Sequence, residues 1–357
     1  MNTTLSTPTN ATVDRKTPSN MKATGKAPTN IAFVKYMGKD SRGDTLPEQQ
    51  GKNFPENGSV SLTLDTLTST TTVHFSPEYT EDTFVLDGEK LAHEAERVFK
   101  AIDVVRKMAN ISLRARVESH NNFGKSRGLS SSASAAAALA SAASSAAGLK
   151  LSERELSILA RKFSGSGSRS VPSGFVEWKP PIFDGNGNLL EDSYAESIYP
   201  PEHWAIADVV AITEVPAKEV STTEAHGRVH QSRYRPARLT GMPQKVESCK
   251  RFIRDRDFTS LGTFMEEEAW DLHLLFISSG IRYVRSETLR IMESVEQWRR
   301  EGLEAYYTVN TGQDVHIICQ EKDVNAVREK LEAIDCVRDV IVARPGRGAH
   351  LLATHLF

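Results

Sequence analysis

Several absences narrow the function of this 357-residue chain before any motif is considered. Its three cysteines, Cys249, Cys319 and Cys336, are widely spaced, odd in number and form no C-x-x-C pair, which argues against a disulfide framework and a zinc site. No run of about 18 apolar residues is available to cross a bilayer, and the first residues lack the apolar core of a signal peptide. Neither sign of charge dominates: 44 Lys and Arg against 46 Asp and Glu leave a formal net charge of -2. There is thus no broad basic field for nucleic acid or an anionic membrane, and an anionic ligand must be met by local groups. A Walker-type G-x-x-x-x-G-K-[ST] loop is also missing. A cytoplasmic protein is the expectation.

The chain does have ordinary globular composition, 39% hydrophobic and 25% charged, and a length beyond what one core usually serves, so two lobes are expected. Residues 1–25 are rich in Thr, Ser, Asn, Pro and Lys and read as a disordered leader. Apolar Ile31 to Val34 then reads as a strand, preceded by Asn30 and followed by Lys35 and Lys39. Ser59 to Phe75 alternates, with Val60, Leu62 and Leu64 on one face and Ser59, Ser61 and Thr63 on the other, a half-buried sheet with a hydroxyl-lined face. Thr83 to Leu86 reads as a strand ending in an Asp87-Gly88 turn, Leu91 to Met108 as an amphipathic helix, and Ile111 to Val117 as a further strand.

Residues 124–147 are the organising stretch. Gly128-Leu-Ser-Ser-Ser-Ala-Ser134 precedes an almost pure Ala/Ser helix to Ala147. Unpaired N–H groups at its start, with the hydroxyls of Ser130, Ser131, Ser132 and Ser134, suit either a phosphate site, metal included, or a plain helix cap. Leu151 to Phe163 reads as a helix with Ser152 and Glu155 in a capping box. The following Ser164-Gly-Ser-Gly-Ser-Arg-Ser170 reads as an anion-binding turn around Arg169 in preference to a linker. In the second half, Trp204 to Thr213 is expected to be a strand and Gln244–Arg254, Phe258–Phe276 and Ser286–Glu301 helices. Glu266 to Glu268 read as a solvated face and His273 as a core histidine. Val309–Cys319, Val324–Ile334 and Val337–Val342 read as a β-α-β ending.

Lys26-Ala-Pro-Thr-Asn-Ile-Ala-Phe-Val-Lys-Tyr-Met-Gly-Lys39, Asn57-Gly-Ser-Val-Ser-Leu-Thr-Leu64, the serine loop, Ser164 to Ser170 with Gly174-Phe-Val-Glu-Trp178, and His355-Leu-Phe357 occur in one order along the chain. Together they resemble the mevalonate diphosphate decarboxylases of the GHMP kinase superfamily. The resemblance implies a two-lobed α+β fold, with lobes at 26–195 and 196–357 and the active site in the cleft between them. It implies ATP- and Mg²⁺-dependent phosphorylation of the 3-hydroxyl of a 5-phosphorylated mevalonate, followed by loss of phosphate and CO₂, and a homodimer. By position, Gly128, Ser130, Ser131, Ser132 and Ser134 match the nucleotide site, with Ser131 or Ser132 near the metal. Lys35, Tyr36, Lys39, Ser168 and Arg169 match positions that hold the substrate's carboxylate and phosphates, and Asn30, Asn57, Ser59 and Ser61 match other cleft positions.

Two departures stand out. Met37 occupies the place where the family often has Trp. Within Tyr307-Thr-Val-Asn-Thr-Gly-Gln-Asp-Val315, Asn310 falls where the family carries its catalytic aspartate. An amide cannot take a hydroxyl proton as a carboxylate does. Asp314 or Asp271 could supply the carboxylate instead, although Asp314 also reads as an exposed turn residue. The chain could alternatively decarboxylate a substrate already phosphorylated at the 3-position without ATP, act as a small-molecule kinase, or be a silent metabolite-binding homologue. The asparagine could also be an introduced replacement.

Overall fold

The computed structural model describes residues 21–47, 51–123, 131–213 and 219–357. In the first half run β1 (Lys22–Val34), β2 (Ser59–Ser76), β3 (Thr83–Leu86), α1 (Ala92–Ala109), β4 (Arg114–Asn121), α2 (Ser131–Ala146) and α3 (Glu153–Phe163). A buried 3-10 turn (Gly165–Ser170) leads to β5 (Phe175–Trp178), the small β6 (Ile182–Phe183) and β7 (Leu189–Glu191) ribbon, and β8 (Ala195–Tyr199). The second half holds β9 (Ile206–Thr213), α4 (Thr222–Arg228), α5 (Arg235–Asp255), α6 (Phe258–Ser278), α7 (Ser286–Arg300), β10 (Ala305–Val309), β11 (Val315–Gln320), α8 (Val324–Glu332), β12 (Val337–Ala343) and β13 (His350–Leu352).

Two main sheets result. The first has the order β13-β1-β2-β4-β3, with β5 also on β2 and β8 on β5; the second has the order β10-β11-β9-β12. Mixed helices and sheets make this the expected α+β class. Chain order along the first sheet differs from expectation. β13 pairs with β1, Thr24 opposite Leu352, so the chain's end returns to the first sheet, and a division between 195 and 196 would cut β8 after its first residue. Part of the segment expected to be a disordered leader, 1–25, is strand: β1 starts at Lys22, because its pairing with β2 continues to His74.

α2 packs onto β1 and β2. Its alanine and serine surface lets backbones approach closely: a Cβ added at Gly25 of β1 would lie 2.5 Å from the Ala138 carbonyl oxygen. The hydroxyl row of β2 is therefore buried rather than wet. Ser69 Oγ lies 2.7 Å from Ser134 Oγ of α2, and Thr63 Oγ1 donates to the Pro172 carbonyl at 3.0 Å. The opposite row, Val60, Leu62 and Leu64, packs with Ile31, Phe33, Ile206, Ile318 and Tyr306 in a core shared by both sheets. This shared core joins the lobes and brings the C-terminal ends of β1 and β10 together.

Local signals explain much of the rest. The Ser152–Glu155 capping box forms, with Ser152 N donating to Glu155 Oε2 at 2.8 Å. Asp87 and Gly88 both take positive φ, 53° and 84°, as a two-residue hairpin turn requires. α5 starts at Arg235 rather than at Gln244, since Pro236 suits the first turn and Pro243 is accommodated inside the helix.

Candidate active site

Lys35 stands just past the end of β1, almost fully buried, with Nζ donating to the Ala32 carbonyl at 2.7 Å and to Asn310 Oδ1 at 3.0 Å. Asn310 follows β10, so this contact joins the two sheets across the cleft. Burial is the main reason the amine's pKa falls from 10.5 to about 7; Glu268 pulls it up and Arg169 pushes it down. The amine thus changes charge near neutral pH.

Arg169 enters from the 3-10 turn. Its Nε donates to Asn30 Oδ1 at 3.1 Å, its Nη1 to Ser59 Oγ at 3.2 Å, and its guanidinium lies 5.6 Å from the centroid of the Trp178 ring. No carboxylate pairs with it among the described residues, and burial lowers its pKa to about 10. Asn30 is in turn oriented by Nδ2 donating to Ser170 Oγ at 2.7 Å. Tyr36 closes the wall edge-on to Trp178, its hydroxyl buried without a partner among the described residues; a Cβ at Gly165 would come within 2.8 Å of that oxygen. Ser131 and Ser132, the first two residues of α2, and Ser166 face the same cleft, as do Met37, Leu272 and His226. Burial drops the His226 pKa to about 3, and its Nδ1 accepts from Gly38 N at 3.1 Å, so it stays neutral.

Among known proteins, the Diphosphomevalonate decarboxylase-like N-terminal domain matches residues 27–195, and the Mevalonate 5-diphosphate decarboxylase C-terminal domain matches residues 208–344. The chain belongs to the mevalonate diphosphate decarboxylase family. It is 31% identical over 320 residues to the diphosphomevalonate decarboxylase of Candida albicans, spanning 84% of this chain and 85% of that protein. With the phosphomevalonate decarboxylase of Haloferax volcanii it shares 29% identity over 337 residues, 93% of this chain and 98% of the other. The structure of MDDEF in complex with MVAPP, AMPPCP and magnesium matches with a TM-score of 0.83 and 32% identity, covering 93% of this chain and 99% of that one. Family membership places the chain among the carbon–carbon lyases.

Of the residues expected from the decarboxylase pattern, Lys35, Tyr36, Ser131, Ser132, Arg169 and Asn310 line one cleft. Gly128 and Ser130 lie outside the described residues. Others support the cleft without lining it. Asn57 Nδ2 donates to the Lys35 carbonyl at 3.0 Å, and Ser59 Oγ donates to the Val34 carbonyl at 2.6 Å, both tethering the turn after β1. Lys39 reaches Asn53 Oδ1 at 2.7 Å, away from Lys35. Ser61 is buried in β2 and does not line the cleft.

Four expectations are corrected. Ser168 does not face the cleft: its Oγ pairs with Ser157 Oγ of α3 at 2.7 Å, because the 3-10 turn points it back toward that helix. Ser134 does not line the cleft either: its Oγ lies 2.7 Å from Ser69 Oγ, because α2 packs onto β2 there. Asp314 is neither an exposed turn residue nor a cleft carboxylate; it is buried, with Oδ1 accepting from Thr213 N at 3.0 Å. Asp271 is also committed, to Arg238 and Lys245. Sequence reasoning did not single out Ser166 or Leu272, and reached His226 only as part of a polar, histidine-containing stretch up to Arg238 that either binds substrate or is solvated. Ser166 could have been found, since a turn that aims Arg169 into a cleft presents a neighbouring hydroxyl too; Leu272 comes from a distant helix and left no local signal.

A nucleotide with magnesium fits this donor set in one particular way. Among the described residues no group of three or more His, Cys, Asp or Glu side chains could hold an ion, and the cleft lining includes no carboxylate. In the described lining, hydroxyls such as those of Ser131 and Ser132 would be the ligands the protein offers, which suits a magnesium carried mainly by phosphate oxygens and water.

Proposed function

We propose that the chain binds a 5-phosphorylated mevalonate in the cleft between its lobes and, with ATP and magnesium, decarboxylates it to an isopentenyl phosphate. The observation that carries this reading is the meeting of two buried basic side chains, Lys35 and Arg169, in one cleft whose described lining has no carboxylate. Buried positive groups of that kind are costly unless an anion is bound beside them. The proposed substrate supplies a carboxylate and a phosphate. The named activities of the relatives, and the MVAPP, AMPPCP and magnesium bound in the MDDEF structure, support the same substrate class and cofactors.

Each side chain has a physical part. Arg169, its fork oriented by Asn30 and Ser59, pairs with the substrate carboxylate or phosphate in a planar geometry. Ser131 and Ser132 meet the nucleotide phosphates and the metal. ATP with magnesium would supply the phosphoryl group that makes the tertiary 3-oxygen a leaving group, and the hydroxyl proton would pass to the neutral form of the Lys35 amine. Lys35 offsets the negative charge that collects on that oxygen as its bond to carbon breaks, a preorganised electrostatic role. The electron pair of the bond to the carboxylate then forms the alkene, and CO₂ departs. Tyr36, Met37 and Leu272 keep water from the electron-deficient carbon.

A second reading is favoured by Asn310. Its amide oxygen accepts from Lys35 and cannot accept the hydroxyl proton of the kinase step. On this reading the substrate arrives already phosphorylated at the 3-position and ATP is not used. One assay separates the two: ADP and CO₂ are followed separately with mevalonate 5-phosphate, mevalonate 5-diphosphate and mevalonate 3,5-bisphosphate. ADP and CO₂ released together from a 5-phosphorylated substrate support the first reading. CO₂ from the bisphosphate alone, without ATP, supports the second, and silence with all three overturns both.

A further inference from the structure

Lys35 is held from behind its backbone as firmly as its amine is held in the cleft. Its N–H donates to Glu268 Oε1 of α6 at 3.0 Å, and its carbonyl accepts from Arg238 Nη2 of α5 at 3.1 Å. Glu268 is fully buried, which corrects the expectation of a solvated face. It is sandwiched between two cations: Arg238 Nη1 donates to its Oε2 at 3.1 Å and Lys245 Nζ at 2.7 Å. Asp271, one turn on, takes the Nη1 of Arg238 at 2.7 Å and completes a four-charge network of zero net charge.

We propose that Glu268 is a positioning residue for Lys35, fixing the backbone from which the amine reaches the cleft and supplying, from the far side, the negative charge that Asn310 lacks. This rests on the reading that Lys35 meets the substrate anion. A buried carboxylate linked to three donors costs more to assemble than an apolar contact of the same volume, so a purely structural need would be met more cheaply otherwise. Its contact with Lys35 gives the network a second use. The other charges facing Lys35 are Arg169 from the 3-10 turn, Asp208 from β9 and Arg238 from α5, with His273 of α6 neutral; of all these, Glu268 acts most strongly on the amine. Neutralising Glu268 while leaving Arg238 and Lys245 in place turns a balanced network into a net cation beside Lys35.

The test is the titration of Lys35 itself, read by NMR in protein with ¹³C at lysine Cε, the Lys35 signal assigned by its loss in Lys35→Met. Glu268→Gln keeps an oxygen acceptor for the Lys35 N–H and removes the charge. Its Lys35 midpoint should fall by about one pH unit, and adding Asn310→Asp should bring it back up. An unmoved midpoint with a lowered melting temperature would make Glu268 structural only and overturn the proposal. Should Glu268→Gln not fold, Lys245→Met removes a half-exposed cation from Glu268 and should raise the midpoint; no change or a fall there overturns the proposal equally. The pH profile of turnover separates this from the assigned function. A midpoint that moves while the profile does not leaves Glu268 as the positioning group and removes Lys35 from the reaction.

Discussion

Arg169 and Arg238 are equally buried, each 5% exposed, and both serve the region around Lys35, yet they have opposite surroundings. Arg238 meets two carboxylates, Glu268 and Asp271, and its pKa stays raised despite burial. Arg169 meets an amide oxygen, a hydroxyl and an indole ring, and burial pulls it down. Since burial is the same, partners make the difference. A buried cation with its counter-charges supplied by the protein supports the fold, and one without them is kept for a ligand. The neighbouring amine of Lys35 belongs to both classes, tied by its backbone to the balanced network and open by its side chain to the unbalanced cleft.

The comparison breaks most sharply at Arg238. Arg238→Met removes the cation that touches both Glu268 and Asp271 and leaves buried Glu268 with Lys245 alone as its counter-charge, so unfolding by denaturant should reveal a loss of roughly 3–5 kcal/mol. Arg169→Gln should do the reverse, leaving the denaturation midpoint level or higher while kcat/KM in the decarboxylase assay falls about 10²–10³-fold. An Arg169 variant that loses stability in place of turnover would erase the distinction. Lys35 contributes a pH dependence whose sign follows from its lowered pKa. Between about pH 7 and 10.5 the unfolded chain holds a proton that the folded chain does not, so stability rises with pH through that window and is lost as pH falls through the folded value. Lys35→Met should flatten that slope in melting temperature measured across the range. Asp314→Ala should cost about 1–3 kcal/mol by denaturant, from the unmet Thr213 donors, with KM unchanged. Ser168→Ala is the smallest, about 1 kcal/mol with unaltered substrate affinity, since its hydroxyl serves Ser157; a large rise in KM would return Ser168 to the cleft.

Legibility in the sequence followed the range of the physics. The Ser152 capping box, the Asp87-Gly88 turn and the slim alanine helix are settled within a few residues, by hydrogen bonds to near neighbours and by the close approach that small side chains allow, and all were readable. The alternation of β2 gave two faces correctly but not their surroundings. Both are covered, one by α2 and the turn after α3, the other by the second sheet, and no period-2 pattern says what lies opposite. Runs of hydroxyls misled in a similar way. Ser131 and Ser132, at the very start of α2, reach the cleft, while Ser134, a turn further in, is taken up by Ser69 of the strand beneath it.

Sequence by itself determined the α+β family and the arrival of Lys35 and Arg169 in one cleft, since these rest on motif order and on residue types with one dominant chemistry. Only the tertiary structure decided which of many similar charges are satisfied. Glu268 was read as solvent-facing and Asp314 as a turn residue, yet both are buried and committed, Glu268 across 233 residues to the backbone of Lys35. Side-chain charge is local to the sequence, but its neutralisation depends on partners brought together by folding, and that distance in the chain is why it could not be read from it.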